Sequence, residues 1–323
     1  MAELLFELVG PDYGLAEAEV KAVIEGSGYQ WDEVACSTGV SVLKTDCPVD
    51  LIGAKAGLTH RIFEHFHTGN QKDILQDELE IDLPDGTAKV ETRRVGGVPG
   101  DTQRIKSELG DRIDNPIDLE DPDNILAVLI SDRCHVGRLI HRTDKGEFRS
   151  REVKYRPYFS PVSLQPRYAR ALVNLTRATK DLHDPFCGTG GILLEALMIG
   201  LQATGGDIDP EMIRGCRLNL KKYGFHAQVK VGDVEETIPK HVESIATDPP
   251  YGRAASTSGE EMDTLYKRFF DTAEHRLKKG GRLAVILPDM KYVKMVENLE
   301  LTESYITRVH SSLKRHYLVF KKI

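Results

Sequence analysis

From about residue 161 to its end, the chain alternates short apolar runs with helical stretches in a regular beat, and this beat limits its fold most. A helix pattern in QPRYARALVNLTRAT leads into the strand pattern KDLHDPF. Helix GGILLEALMIG, strand QATGGDI, helix PEMIRGCRLNLKKYG and strands AQVKVGD and SIATDPP follow. Helix DTLYKRFFDTAEHRLKKG, strand GRLAVILPD and a last pair near TESYITRVH and RHYLVFKKI close the chain. Strands parted by helices predict a mostly parallel, doubly wound α/β sheet. Ligands of such sheets sit beyond the carboxyl ends of the strands.

The first 150 residues lack that beat. LLFELVG reads as a strand, LAEAEVKAVIEGSG as a helix stopped by Gly26 and Gly28, and VSVLKTD as a second strand. Then come a predicted helix over LIGAKAGLTHRIFEHF, strand AKVETRRV, helix TQRIKSELGDRI and strands NILAVLISD and HVGRLIHRT. The pattern predicts two small α+β units, 1–55 and 56–148. The stretch FRSREVKYRPYFS, basic and aromatic around Pro157, predicts a linker over 149–160 before a domain over 161–323.

Composition narrows the class. No run approaches the roughly 18 apolar residues that cross a bilayer. The start, MAELLFELVG, carries acids and no basic leader, so a cytoplasmic chain without signal peptide or membrane partner is expected. Five cysteines without a C-x-x-C spacing, and His60, His65 and His67 at no usual ligand spacing, predict no metal in this chain. Net charge is −7 but uneven: residues 1–150 carry 16 Lys and Arg against 29 Asp and Glu, and the remainder carries 27 against 21. Arg149, Arg151, Lys154 and Arg156 end a basic run suited either to RNA phosphates or to a solvated linker.

Four motifs carry chemistry. His183-Asp184-Pro185-Phe186-Cys187-Gly188-Thr189-Gly190-Gly191 closes a strand and opens an apolar helix. Its glycines admit a ligand close to the backbone, but their spacing is not the G-x-G-x-x-G of a pyrophosphate loop. A phosphate-free ligand is expected, its ammonium meeting Asp184 and its body near Phe186, Gly188 and Gly190. At the next strand end, Asp207 is placed to accept ribose hydroxyls, with Ile208 along an adenine face and Asp209 capping the helix that Pro210 begins. Asp233, before Val234, either accepts from the adenine amino group or caps a turn. Cys187 has no histidine placed to activate it, and packing is its expected role.

The most specific motif is Thr247-Asp248-Pro249-Pro250-Tyr251-Gly252. Two successive prolines bar helix and remove N–H donors. What remains to offer is carbonyl oxygens and the Asp248 carboxylate, an acceptor-only site. An arylamine needs such a site, because its lone pair is delocalised until both N–H bonds are held and a proton is drawn off. Tyr251 offers a face on which a flipped base stacks.

DPFCGTGG, DIDPEM, GDV and DPPYG, in this order, resemble the motifs of class I amino-methyltransferases. RPYFSPVSLQPRYARALVNL, VHSSLKRHYLVF and the long α+β N-terminal region are similar to the archaeal THUMP-containing tRNA guanine-10 methyltransferases. The resemblance implies a Rossmann-like domain preceded by ferredoxin-like and THUMP regions. It implies S-adenosyl-L-methionine as cofactor, tRNA as substrate, and one or two methyl transfers to the guanine 2-amino group. In some members it also implies a small zinc-binding activator subunit. Two other readings stay open: a methyltransferase for another tRNA guanine or for DNA amino groups, and a non-catalytic RNA-binding protein on this fold.

Overall fold

A computed structural model of the chain describes residues 1–76, 79, 81–159, 163–251, 261–310 and 313–323, without the side chains of Gln76, Lys145, Val309, His310 and Leu313. It divides into two compact units.

The first holds Met1–Glu17, Gly28–Ala54 and Thr59–Thr143. Its elements are β1 (Ala2–Leu8), the start of α1 (Tyr13–Gly26), β2 (Trp31–Ser37), β3 (Val40–Thr45), α2 (Val49–Lys55) and β4 (Thr59–Gly69). Then follow α3 (Gln71–Gln76), β5 (Ala88–Arg94), α4 (Thr102–Gly110), β6 (Asn124–Ile130) and β7 (Cys134–Arg142). All seven strands form one sheet in the order β2-β3-β1-β4-β7-β6-β5, antiparallel except for the β5–β6 pair. The segments 1–55 and 56–148 therefore share a sheet.

The predicted helix over LIGAKAGLTHRIFEHF is wrong in its second half. Thr59–Gly69 is the central strand, paired with β1 and β7. Its Thr59–Phe63 segment is buried throughout, so no alternation marks it as a strand. Arg61 tolerates burial because its guanidinium meets Glu7 at 2.6 Å and Glu91 at 2.9 Å. β2 and α3 were not anticipated.

The second unit holds Asp144–Ile323 together with Ala18–Ser27 and Lys55–Leu58. It contains α5 (Lys145–Ser150), α6 (Pro166–Leu175), β8 (Asp181–Asp184), α7 (Gly191–Met198), β9 (Gln202–Asp207), α8 (Pro210–Lys222), β10 (Gln228–Val231) and α9 (Val234–Thr237). β11 (Val242–Thr247), α10 (Met262–Arg276), β12 (Leu277–Leu287), β13 (Leu299–His310) and β14 (Leu313–Lys322) complete it. The sheet order is β10-β9-β8-β11-β12-β14-β13, parallel from β10 to β12, with an antiparallel pair at the end. The expected beat of strand and helix is present element by element. Phe269, Phe270, Leu283, Val285, Leu318 and Phe320 fill the core between α10 and the sheet.

The predicted linker is instead packed structure. The end of α5 and a 3-10 turn at Val153–Tyr155 lie within it. Arg151 is 1% exposed, giving Nε to Glu195 Oε1 at 2.8 Å and Nη1 to Glu147 Oε1 at 3.0 Å. Arg170 meets the other Glu195 oxygen at 2.8 Å, and Arg151, Arg167 and Arg170 all lie against the Phe148 ring.

Candidate functional site

Sheet order turns four motifs scattered through the sequence into a row. β10, β9, β8 and β11 are neighbours, and Asp233, Asp207, Asp184 and Asp248 stand at their carboxyl ends in that order. A cleft of about 310 Å³ lies there, lined by these four acids with Phe186, Gly188, Ile208, Val234, Pro249, Pro250 and Tyr251 among others. Gly252, the last residue of its motif, lies outside the described residues.

The loop after β8 turns through left-handed backbone at Gly188 (φ 47°) and Gly190 (φ 83°), the latter heading α7. Nothing lies within 4 Å of where a Gly188 Cβ would stand, whereas one at Gly190 would strike Cys216. Asp184 is buried, and its Oδ1 accepts the Thr247 hydroxyl at 2.6 Å and the Phe186 N–H at 3.2 Å. Burial pushes this carboxyl up to about 7. Cys187, hydrogen-bonded with Cys216 and buried, has its thiol pushed up, the opposite of an activated nucleophile.

β9 approaches this loop closely: the Cys187 N–H donates to the Gly206 carbonyl at 2.9 Å, and a Cβ at Gly205 would lie 2.9 Å from that of Cys187. Asp207 receives the Gly188 N–H on Oδ2 at 2.9 Å and the Asp209 N–H on Oδ1 at 3.0 Å. The Ile208 N–H also bonds to this carboxylate, which leaves one of its roughly four acceptor positions open. Ile208 beside it is 48% exposed. Asp209 caps α8, accepting from Glu211 N–H at 2.8 Å. Asp233 caps α9 through Val234 N–H at 2.6 Å and holds Arg268 Nη2 at 2.9 Å, so the cap reading of this residue is realised at the edge of the cleft.

Asp248 follows β11 with a side chain 12% exposed. Its Oδ1 has no hydrogen-bond partner among the described residues. Burial pushes it up to about 7, against the Arg315 charge and the Tyr251 hydroxyl, which both lower it. The Pro250 carbonyl is taken by the Tyr266 hydroxyl at 3.0 Å. Asp248 Oδ1 stays open to a ligand at this turn among the described residues. Arg315, on β14, gives Nε to the Tyr251 hydroxyl at 2.8 Å and brings Nη2 within 3.8 Å of Asp248 Oδ2. Sequence reasoning missed it; a basic residue at the mouth of the apolar run YLVF was the signal.

The four basic candidates part company. Arg149 and Lys154 are exposed, Lys154 beside Glu152 at 2.8 Å. Arg151 and Arg156 are buried, which corrects their assignment to an RNA surface: Arg151 is paired with Glu147 and Glu195, and Arg156 gives Nε to the Arg151 carbonyl at 2.9 Å. No group of three or more His, Cys, Asp or Glu side chains able to hold a metal occurs among the described residues. No described helix is long and apolar enough to cross a membrane.

Known proteins share this architecture. Residues 153–316 match the RMKL-like methyltransferase domain family. TrmN from Thermus thermophilus is similar in structure, with TM-score 0.57 and 21% identity over 99% of this chain and 100% of that one. SMU.472 in its complex with SAH gives TM-score 0.55 and 15% identity over 98% and 97%. In sequence, a tRNA (guanine(10)-N2)-dimethyltransferase of Methanothermobacter thermautotrophicus is 31% identical over 96% of both chains. That of Pyrococcus abyssi is 33% identical over 98% of both. A match of that extent, on a sheet whose strand ends gather the four motifs, makes this chain a member of the tRNA (guanine(10)-N2)-dimethyltransferase family.

Proposed function

We propose that this chain methylates, once or twice, the exocyclic 2-amino group of guanine-10 in tRNA, with S-adenosyl-L-methionine as methyl donor. Full-length relatives named for that reaction support the substrate. The observation that carries the chemistry is the Oδ1 of Asp248, without a hydrogen-bond partner among the described residues, at a turn of two prolines that lack N–H donors.

The cleft fits the cofactor. Asp207 has an acceptor position to spare for a ribose hydroxyl, Ile208 stands exposed where an adenine face needs apolar cover, and Gly188 leaves open space. Asp184 would face the ammonium, and Phe186, Asp233 and Val234 would complete the enclosure, while Gly190, which does not line the cleft, turns the chain into α7. When bound, the cofactor supplies an electrophilic methyl group. Asp248 and the Pro249 carbonyl would each accept an N–H of the guanine amino group, turning its lone pair out of the ring and toward the methyl. Asp248 then receives the proton that the nitrogen must lose. Tyr251 would stack on the flipped base.

The remaining assignments belong to the same reading. Residues 1–55 act as a ferredoxin-like unit and 56–148 as a THUMP RNA-binding region on one shared sheet. The methyltransferase domain takes in the 149–160 stretch as well as 161–323, and the location is cytoplasmic. Arg149 and Lys154 face RNA phosphate. A small zinc-binding activator subunit docks at the free edge of β10, where Lys230 and Val231 are exposed; edge strands offer unpaired backbone to such a partner.

Incubating unmodified tRNA with the chain and cofactor, then digesting it for nucleoside mass spectrometry, tests the proposal. N2-methylated guanosine mapped to position 10 is expected. Methylation confined to another nucleotide, or none at all, would overturn it.

A further inference from the structure

We propose that Arg315 is a positioning residue for methyl transfer: shared between Tyr251 and Asp248, it keeps the Asp248 carboxylate charged while leaving one of its oxygens free for the substrate amine. This inference rests on the amino-methyltransferase reading above.

The argument begins with a misfit. β14 carries Tyr317, Leu318, Val319 and Phe320 into the core, yet its residue 315 is an arginine whose side chain is only 16% exposed. A guanidinium so placed needs partners. It donates Nε to the Tyr251 hydroxyl at 2.8 Å. Its Nη2 stops 3.8 Å from Asp248 Oδ2, too far for a hydrogen bond but near enough for strong Coulomb attraction.

That spacing matters chemically. A bidentate arginine fork would occupy both carboxylate oxygens and leave none for an amine. With Nε held by Tyr251, the fork is turned away, and Asp248 Oδ1 remains without a partner among the described residues. Among those residues, the titratable groups facing Asp248 are Arg315 and Tyr317 from β14, Tyr251 from its own loop, Tyr266 from α10 and Asp184 from β8. Of these, Arg315 alone carries positive charge. Without it the buried carboxyl faces a second acid and three phenols.

The test uses the full chain, a tRNA transcript and S-adenosyl-L-methionine, with single-turnover rates measured against pH. Arg315→Met should move the acid limb of the rate profile up by about one to three pH units, with much of the rate returning above it. Calorimetric cofactor affinity should stay within about twofold of wild type. Arg315→Lys should bring the limb most of the way back. Tyr251→Phe removes a hydroxyl that itself lowers the Asp248 carboxyl and also frees the fork to close on Asp248, so the two effects on the limb oppose each other while the plateau rate should fall.

A purely structural arginine predicts something else: equal loss at every pH, no rescue by lysine, and an unchanged plateau rate in Tyr251→Phe. Those results would overturn the proposal, and the phenylalanine variant decides the matter even if Arg315→Met does not fold. A wild-type chain that transfers no methyl group would instead overturn the underlying reading, and this inference with it.

Discussion

The Thr247 hydroxyl donates to Asp184 Oδ1 across 2.6 Å, so the strand that ends in the acceptor turn also holds the carboxylate that opens the glycine loop. Asp184 is buried, and burial raises its carboxyl from 3.8 to about 7. The folded chain therefore binds this proton more tightly than the unfolded one. The group's stabilising contribution is whole below about pH 4 and is lost as pH rises through about 7. Asp184→Asn, which still accepts from Thr247, should raise the melting temperature at pH 8 and change it little at pH 4. The difference should be on the order of a few kcal/mol, read by thermal denaturation without added cofactor. Equal effects at both pH values would refute the assignment.

Asp248 should be needed for turnover and dispensable for cofactor binding. Asp248→Ala should lose about 10²–10⁴-fold in rate, the usual worth of a positioned acid–base group, while calorimetric affinity hardly moves. In the wild type, the acceptor form exists above about pH 7, so turnover should fall as pH drops through that value. A flat profile between pH 6 and 8 would remove Asp248 from the reaction.

Asp207 ties the Gly188 loop to β9 and is placed for the ribose. Losing a charge-assisted hydrogen bond costs roughly 1.5–3 kcal/mol. Asp207→Ala should therefore weaken S-adenosyl-L-methionine binding about tenfold or more. Unchanged affinity would shift the role to a neighbouring acid.

A fragment cut at Arg151 should be badly destabilised. Within the second unit, Asn174 reaches Glu19 at 2.8 Å, Arg167 the Gly57 carbonyl at 2.7 Å and Arg177 Glu25 at 2.7 Å. Truncation deletes all three partners and Phe148 as well. Stranding buried polar and charged groups typically costs several kcal/mol. Circular dichroism should show a far lower melting temperature for 151–323 than for the whole chain. A fragment as stable as the full chain would mean these contacts contribute little.

Much of the second unit was legible because its strands are short, apolar and separated by amphipathic helices, and because Gly and Pro punctuate the strand ends. Asp184, Asp207, Asp233 and Asp248 were each visible in the sequence, and the sheet brings them together. What stayed hidden depended on partners far along the chain. Arg151 looks like a solvated charge until Glu195, 44 residues on, is folded against it. Arg315 meets Tyr251 across 64 residues, and no local pattern announces the pairing. Thr59–Gly69 failed for a related reason: a strand covered on both faces, with Arg61 neutralised by Glu7 and Glu91, carries no period of two.

The row of carboxylates has one more implication. Four acids stand on adjacent strand ends, Asp184 and Asp248 with carboxyls pushed up to about 7, and Asp233 and Asp248 facing Arg268 and Arg315. Such a rim works as a filter by charge. Where those acids are ionised, phosphate is repelled, so a nucleic-acid strand is expected to approach by an extruded base with its phosphates held by another surface.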